Sequence, residues 1–182
     1  MPGTQPDFAG RSARDAVRRA VALLDVLLAE APAAGSVAAV LVEHGEPEPR
    51  LSPEEVAELQ DAARKLREVF AAPDIAAAAS VLNALFAQYA GPPRLTAHDD
   101  AFGWHLHADS ADDGPWGAWL ITSSALALAT LLADRQEVPG GLCASASCGR
   151  PFAHLGGGSP RRYCSTRCAT RERVAAHRAR KG

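Results

Sequence analysis

The sequence predicts a mainly α protein, α-rich α+β, in which a helical N-terminal domain with one short β-hairpin precedes a small C-terminal unit. Three observations carry that reading. Apolar residues recur at helical spacing over most of the first 135 positions. Strand-like alternation is clear only in RLTAH and WHLHA, on either side of DDAFG. All four cysteines lie within residues 143–182.

The first helix is expected over Ser12 to Glu30, where Val17, Val21, Leu24 and Leu28 form an apolar stripe that Pro32 and Gly35 terminate. PAAGSVAAVLVEHGEPEPRL has the composition of a connection, and its VAAVLV run suits a short buried element of either kind. A firmer start follows at Ser52-Pro53-Glu54-Glu55. The serine caps, proline fits the first helical position and Glu55 completes a capping box, so a helix runs from Pro53 to about Ala71. The next, from about Pro73 to Tyr89, stops at Gly91-Pro92-Pro93, and the two make an αα-hairpin. After the β-hairpin, an uncharged stretch from Trp116 to Ala133 is long enough to raise a membrane span. Thr122, Ser123, Ser124 and Thr130 dilute it, and it reads as a buried central helix. Pro139-Gly140-Gly141 then marks the expected boundary between residues 1–138 and 139–182.

With 182 residues and 47% hydrophobic content the chain can bury a core. Its net charge of −2 hides a division, because residues 141–182 carry nine Arg and Lys against Glu172 alone. The remainder is acidic. The N-terminal residues lack the apolar run of a secretory signal, so the expected location is the cytoplasm, with no membrane partner.

Cys143-x4-Cys148-x15-Cys164-x3-Cys168 is two close pairs joined by a loop. Each pair can present two sulfurs to one tetrahedral Zn2+, and four thiolates would close its shell, making the metal structural. Two disulfides are the alternative, and they need an oxidising compartment. With so few large apolar side chains the module depends on metal for its folding free energy. Ser165 is placed to cap a helix from about Thr166, with Cys168 in its first turn. On that helix Cys168, Ala175, Ala176 and Ala179 share a face expected to pack on the metal knuckle. The fold of this unit is thus a zinc knuckle followed by a basic helix, treble-clef-like. Arg161, Arg162, Arg167, Arg171, Arg173, Arg178, Arg180 and Lys181 gather around it, and phosphate of nucleic acid is the favoured partner. A solvated face, or docking on an acidic protein surface, is the blander reading.

Cys148-Gly149, Phe152, Arg161-Arg162-Tyr163-Cys164-Ser165 and Cys168-Ala169-Thr170-Arg171 together resemble the CGNR zinc finger. The name-giving Gly-Asn is Ala169-Thr170 here. The body is similar too, in Leu66-Arg67-Glu68, in Leu82-Asn83-x-x-Phe86 and in the hairpin followed by an apolar helix. The resemblance implies an ABATE-type sensory domain ahead of the finger, one zinc on four cysteines, and a bacterial transcriptional regulator that binds DNA.

Elsewhere, His105 and His107 share a strand face and read as a polar outer surface, since no third ligand lies nearby. Phe102, Trp104, Trp116 and Trp119 form an aromatic cluster that suits either core packing or a pocket for an unidentified small-molecule effector. Asp99, Asp100, Asp109, Asp112 and Asp113 read as solvated turn residues. No nucleophile elbow, P-loop or dinucleotide fingerprint is present, and the chain is not expected to be an enzyme. Beside the DNA-binding reading stand two others: a zinc-stabilised protein-interaction module, with a homodimer as one form of it, and a small-molecule binder.

Overall fold

A computed structural model describes residues 8–96, 104–111, 114–156 and 161–181, with side chains described from residue 13 onward. Among these residues the chain folds as α1 (Phe8–Leu27), α2 (Ala34–Glu43), α3 (Pro53–Ala71), α4 (Ile75–Tyr89), β1 (Arg94–Thr96), β2 (His105–His107), α5 (Trp116–Arg135), β3 (Gly140–Leu142), β4 (Pro151–Ala153) and α6 (Thr166–Ala179). The mainly α class holds, and the strands form two separate two-stranded sheets, β1–β2 and β3–β4.

Local capping sets several boundaries. In α3 the Ser52 hydroxyl accepts from the Glu55 amide at 3.2 Å and the Glu55 carboxylate accepts from the Ser52 amide at 2.7 Å. Asp74 caps α4 by accepting from the Ala77 amide at 2.8 Å, which starts that helix two residues after Pro73. The VAAVLV run resolves as helix α2, burying Val37 and Leu41.

Helix α5 lies at the centre and packs against α1, α3 and α4. Leu120, Ala125 and Leu128 are fully buried, facing a core to which α1 gives Leu23, Leu24 and Leu27 and α3 gives Leu59, Leu66 and Phe70. A Cβ at Gly117 would sit 3.0 Å from the Glu58 carbonyl oxygen, so glycine permits the close crossing of α5 on α3. Of the four hydroxyls expected to dilute this helix, the two threonines bond back within it: Thr122 donates to the Ala118 carbonyl at 2.9 Å and Thr130 to that of Leu126 at 2.8 Å. By length and composition α5 is the one described helix able to cross a membrane, and half of its apolar window is buried within the protein. Gln136, with φ of 55°, ends it in the left-handed conformation.

The β1–β2 hairpin is antiparallel, with Leu95 opposite Leu106. Its DDAFG turn, with Phe102, Asp99 and Asp100, lies outside the described residues, as do Asp112 and Asp113. Pro139-Gly140-Gly141 is not a free linker. Pro139 and Gly140 are buried and Gly140 opens β3. A Cβ on Gly140 would stand 2.1 Å from the Phe152 carbonyl oxygen and 2.8 Å from the Phe70 ring, so only glycine fits this seam.

Candidate metal centre and basic helix

The second hairpin sets the first pair of thiols. Just beyond β3 the Cys143 amide donates to the Arg150 carbonyl at 2.8 Å, and the Cys148 amide closes a turn on the Ser145 carbonyl at 2.9 Å. Gly149, with φ of 64°, supplies the left-handed residue that returns the chain to β4. The second pair is set by a helix N-terminus. The Ser165 hydroxyl accepts from the Cys168 amide at 3.3 Å, placing Cys168 in the first turn of α6. The Ala144 amide donates to the Arg162 carbonyl at 2.9 Å and ties the two halves together.

All four sulfurs then fall within 4.8 Å of one another. Cys164 Sγ lies 3.7 Å from both Cys148 Sγ and Cys168 Sγ. Four sulfurs at about 2.3 Å from one zinc are separated by about 3.8 Å along each tetrahedral edge, so the cluster has the size and donor set of a closed structural site. The four are free cysteines, with no disulfide among them. A small apolar cluster of Cys143, Phe152 and Cys168, flanked by Tyr163, encloses the sulfurs.

Electrostatics separate the thiols. The hydrogen bond with Ser165 is foremost in holding the Cys168 thiol down to about 6, with neighbouring thiols and Arg171 assisting against desolvation. Desolvation, then the proton-sharing neighbours, pushes Cys164 up to about 12. Only a dication makes deprotonation of the whole set favourable, and its uptake at neutral pH therefore releases protons.

The surrounding side chains divide into those that build the centre and those that leave it. Arg171 Nη2 donates to Cys168 Sγ at 3.1 Å, and this contact raises its own pKa. Arg161 donates to the Ala153 carbonyl at 2.6 Å and lies over the Phe152 ring at 5.4 Å. Arg162, Arg167, Arg173, Arg178, Arg180 and Lys181 are exposed. The alanine face behaves differently from expectation: in α6 only Cys168 is buried, and Ala175, Ala176 and Ala179 stand in solvent. Val174 is exposed too, so beyond its first turn α6 buries nothing among the described residues.

Three supporting residues went unread in the sequence. Glu172 Oε1 accepts from the Ser145 hydroxyl at 2.7 Å and from the Ala146 amide at 3.3 Å, bracing α6 against the first knuckle. Its isolation as the sole acid of a basic tail was the available signal. Arg135 at the end of α5 donates to the carbonyls of His154 at 2.5 Å and Leu155 at 2.8 Å. Arg150 pairs with Asp25 of α1 at 2.9 Å. These last two fasten the finger to the body.

The aromatic cluster separates. Trp116 and Trp119 meet edge to face at 5.3 Å and pack against the main core, Arg19 lies over the Trp119 ring at 4.7 Å, and Trp104 is 70% exposed. Asp109, read as a solvated turn residue, is instead buried, because Arg94 and His107 hold its carboxylate.

Comparison of the whole chain with curated proteins finds no match. At Cys168-Ala169-Thr170-Arg171 the residues kept from the CGNR motif are the two in direct contact, thiol and guanidinium. Residues 141–181 match the model of the CGNR zinc finger, and the C-terminal module of this chain is a finger of that family.

Proposed function

We propose that the chain is a bacterial, cytoplasmic, DNA-binding transcriptional regulator that acts by binding rather than catalysis, with residues 1–138 as an ABATE-type sensory domain. The observation that carries this reading is α6. It is 14 residues long, buries only Cys168, and together with its flanks displays Arg162, Arg167, Arg173, Arg178, Arg180 and Lys181 to solvent. A helix of about 10–12 Å diameter fits the major groove, and its cations can neutralise phosphates on the rims. Zinc gives that helix a fixed origin, and Glu172 fixes its direction. Arg161 and Arg171 are exposed as well, and each also holds a contact within the module, to the Ala153 carbonyl and to Cys168 Sγ, so they both position the helix and add to its charge.

If about five cations meet phosphate, the logarithm of affinity falls against the logarithm of salt with a slope of about −4.5. Fluorescence anisotropy of zinc-loaded protein on random-sequence duplex measures it, and absence of binding at low salt removes the proposal. A second reading is favoured by the exposed Val174 and the solvent-facing Ala175, Ala176 and Ala179: α6 as a protein-interaction or dimerisation helix. Deleting residues 141–182 separates the two, since loss of a dimer supports the second and loss of DNA binding from an unchanged oligomer supports the first.

A further inference from the structure

The β1–β2 hairpin has two unlike faces. Leu95, Trp104 and Leu106 point outward, at 66%, 70% and 48% exposure, while Arg94, Thr96, His105 and His107 alternate onto the opposite, half-buried face. On that face the two imidazoles converge. His105 Nε2 and His107 Nε2 are 2.9 Å apart, with ring centroids at 4.8 Å. Behind them His107 Nδ1 lies 3.1 Å from both carboxylate oxygens of Asp109. Asp109 is 8% exposed and also accepts from Arg94 Nη2 at 2.6 Å.

A buried carboxylate accepts the Nδ1–H of His107 and leaves its Nε2 lone pair facing His105, whose Nε2–H donates to it at 2.9 Å; a bound ion replaces that hydrogen between the two nitrogens. This carboxylate–histidine arrangement is the support that metal-ligating imidazoles generally use. The separation also fits. Two nitrogens about 2.1 Å from one ion and at right angles to each other are about 3.0 Å apart, the spacing of adjacent positions in an octahedral shell. Asp109 is itself held by Arg94 at 2.6 Å, which fixes the carboxylate that orients His107. We propose that this face of the hairpin binds a divalent late transition-metal ion through His105 and His107, with Asp109 as the positioning residue and water completing the shell. Imidazole ligation favours nickel, copper or zinc over calcium or magnesium. The site is separate from the four-cysteine centre and shares no residue with it.

Calorimetric titration of Ni2+ into the full chain, its finger already loaded with zinc, tests this. One Ni2+ equivalent per chain is expected, with the finger zinc retained by metal analysis. His107→Ala and the double variant His105→Ala/His107→Ala should lose that equivalent. Asp109→Asn should weaken it by about 10–100-fold, with unchanged far-UV circular dichroism showing that the fold is kept. Absence of an added equivalent, or an equivalent that persists undiminished in the double variant, overturns the site; full affinity in Asp109→Asn overturns the positioning role.

Discussion

The helical body and the C-terminal finger are held together by different physics. In the body Leu24, Leu41, Leu59, Leu66, Leu120 and Leu128 are fully buried, and removal of apolar area from water dominates. Among the described residues the finger's own cluster buries Cys143, Phe152 and Cys168, with Cys148, Tyr163 and Cys164 packed around them. So small a core cannot offset the ordering of some forty residues, and metal coordination must supply the difference. Where the body spends its apolar residues on packing, the finger leaves α6 bare and free to meet a partner. The two are nevertheless continuous, since Ala153 belongs to the body's core and Arg135 grips the strand exit.

The largest effect expected is from Cys164→Ser, which removes one of four thiolates and abolishes stoichiometric zinc binding at neutral pH while leaving the body folded. Metal analysis and a body melting transition measured together check both halves. Next is Leu128→Ala on α5, a cavity at the centre of the body, costing about 2–5 kcal/mol. Chemical denaturation should show that loss while the protein still holds one zinc per chain. Smaller again is Arg135→Ala at the seam, where the charged donor to the His154 and Leu155 carbonyls is lost at about 1.5–3 kcal/mol. Hydrogen exchange should then rise around residues 151–156 before it rises in α3; equal change in both would mean that the seam is no boundary at all.

What was legible in the sequence was mostly local. Ser52, Pro53 and Glu55 lie within one turn, so their pattern gives the start of α3 to the residue. The cysteine spacing and Ser165 likewise foretell the metal cluster and the start of α6. The type of α2 stayed open because a short apolar run has no decisive period, and its burial against α1 settles it as a helix. Contacts between distant residues left no such pattern. Arg135 with residues 154 and 155 becomes visible only once the chain is folded, and Glu172, although marked out as the tail's sole acid, gains its partner Ser145 only there. Asp109 misled because aspartate in a loop is usually solvated, whereas here Arg94 and His107 compensate its burial.

The central claim is that metal folds the finger and packing folds the body. Hydrogen exchange resolved along the chain, before and after zinc is removed by a chelator, tests it most directly. Removal should abolish protection across Cys143–Cys148 and α6 while α3 and α5 keep theirs. Protection of α6 that survives complete removal of the metal, or collapse of α3 and α5 together with it, would contradict the account.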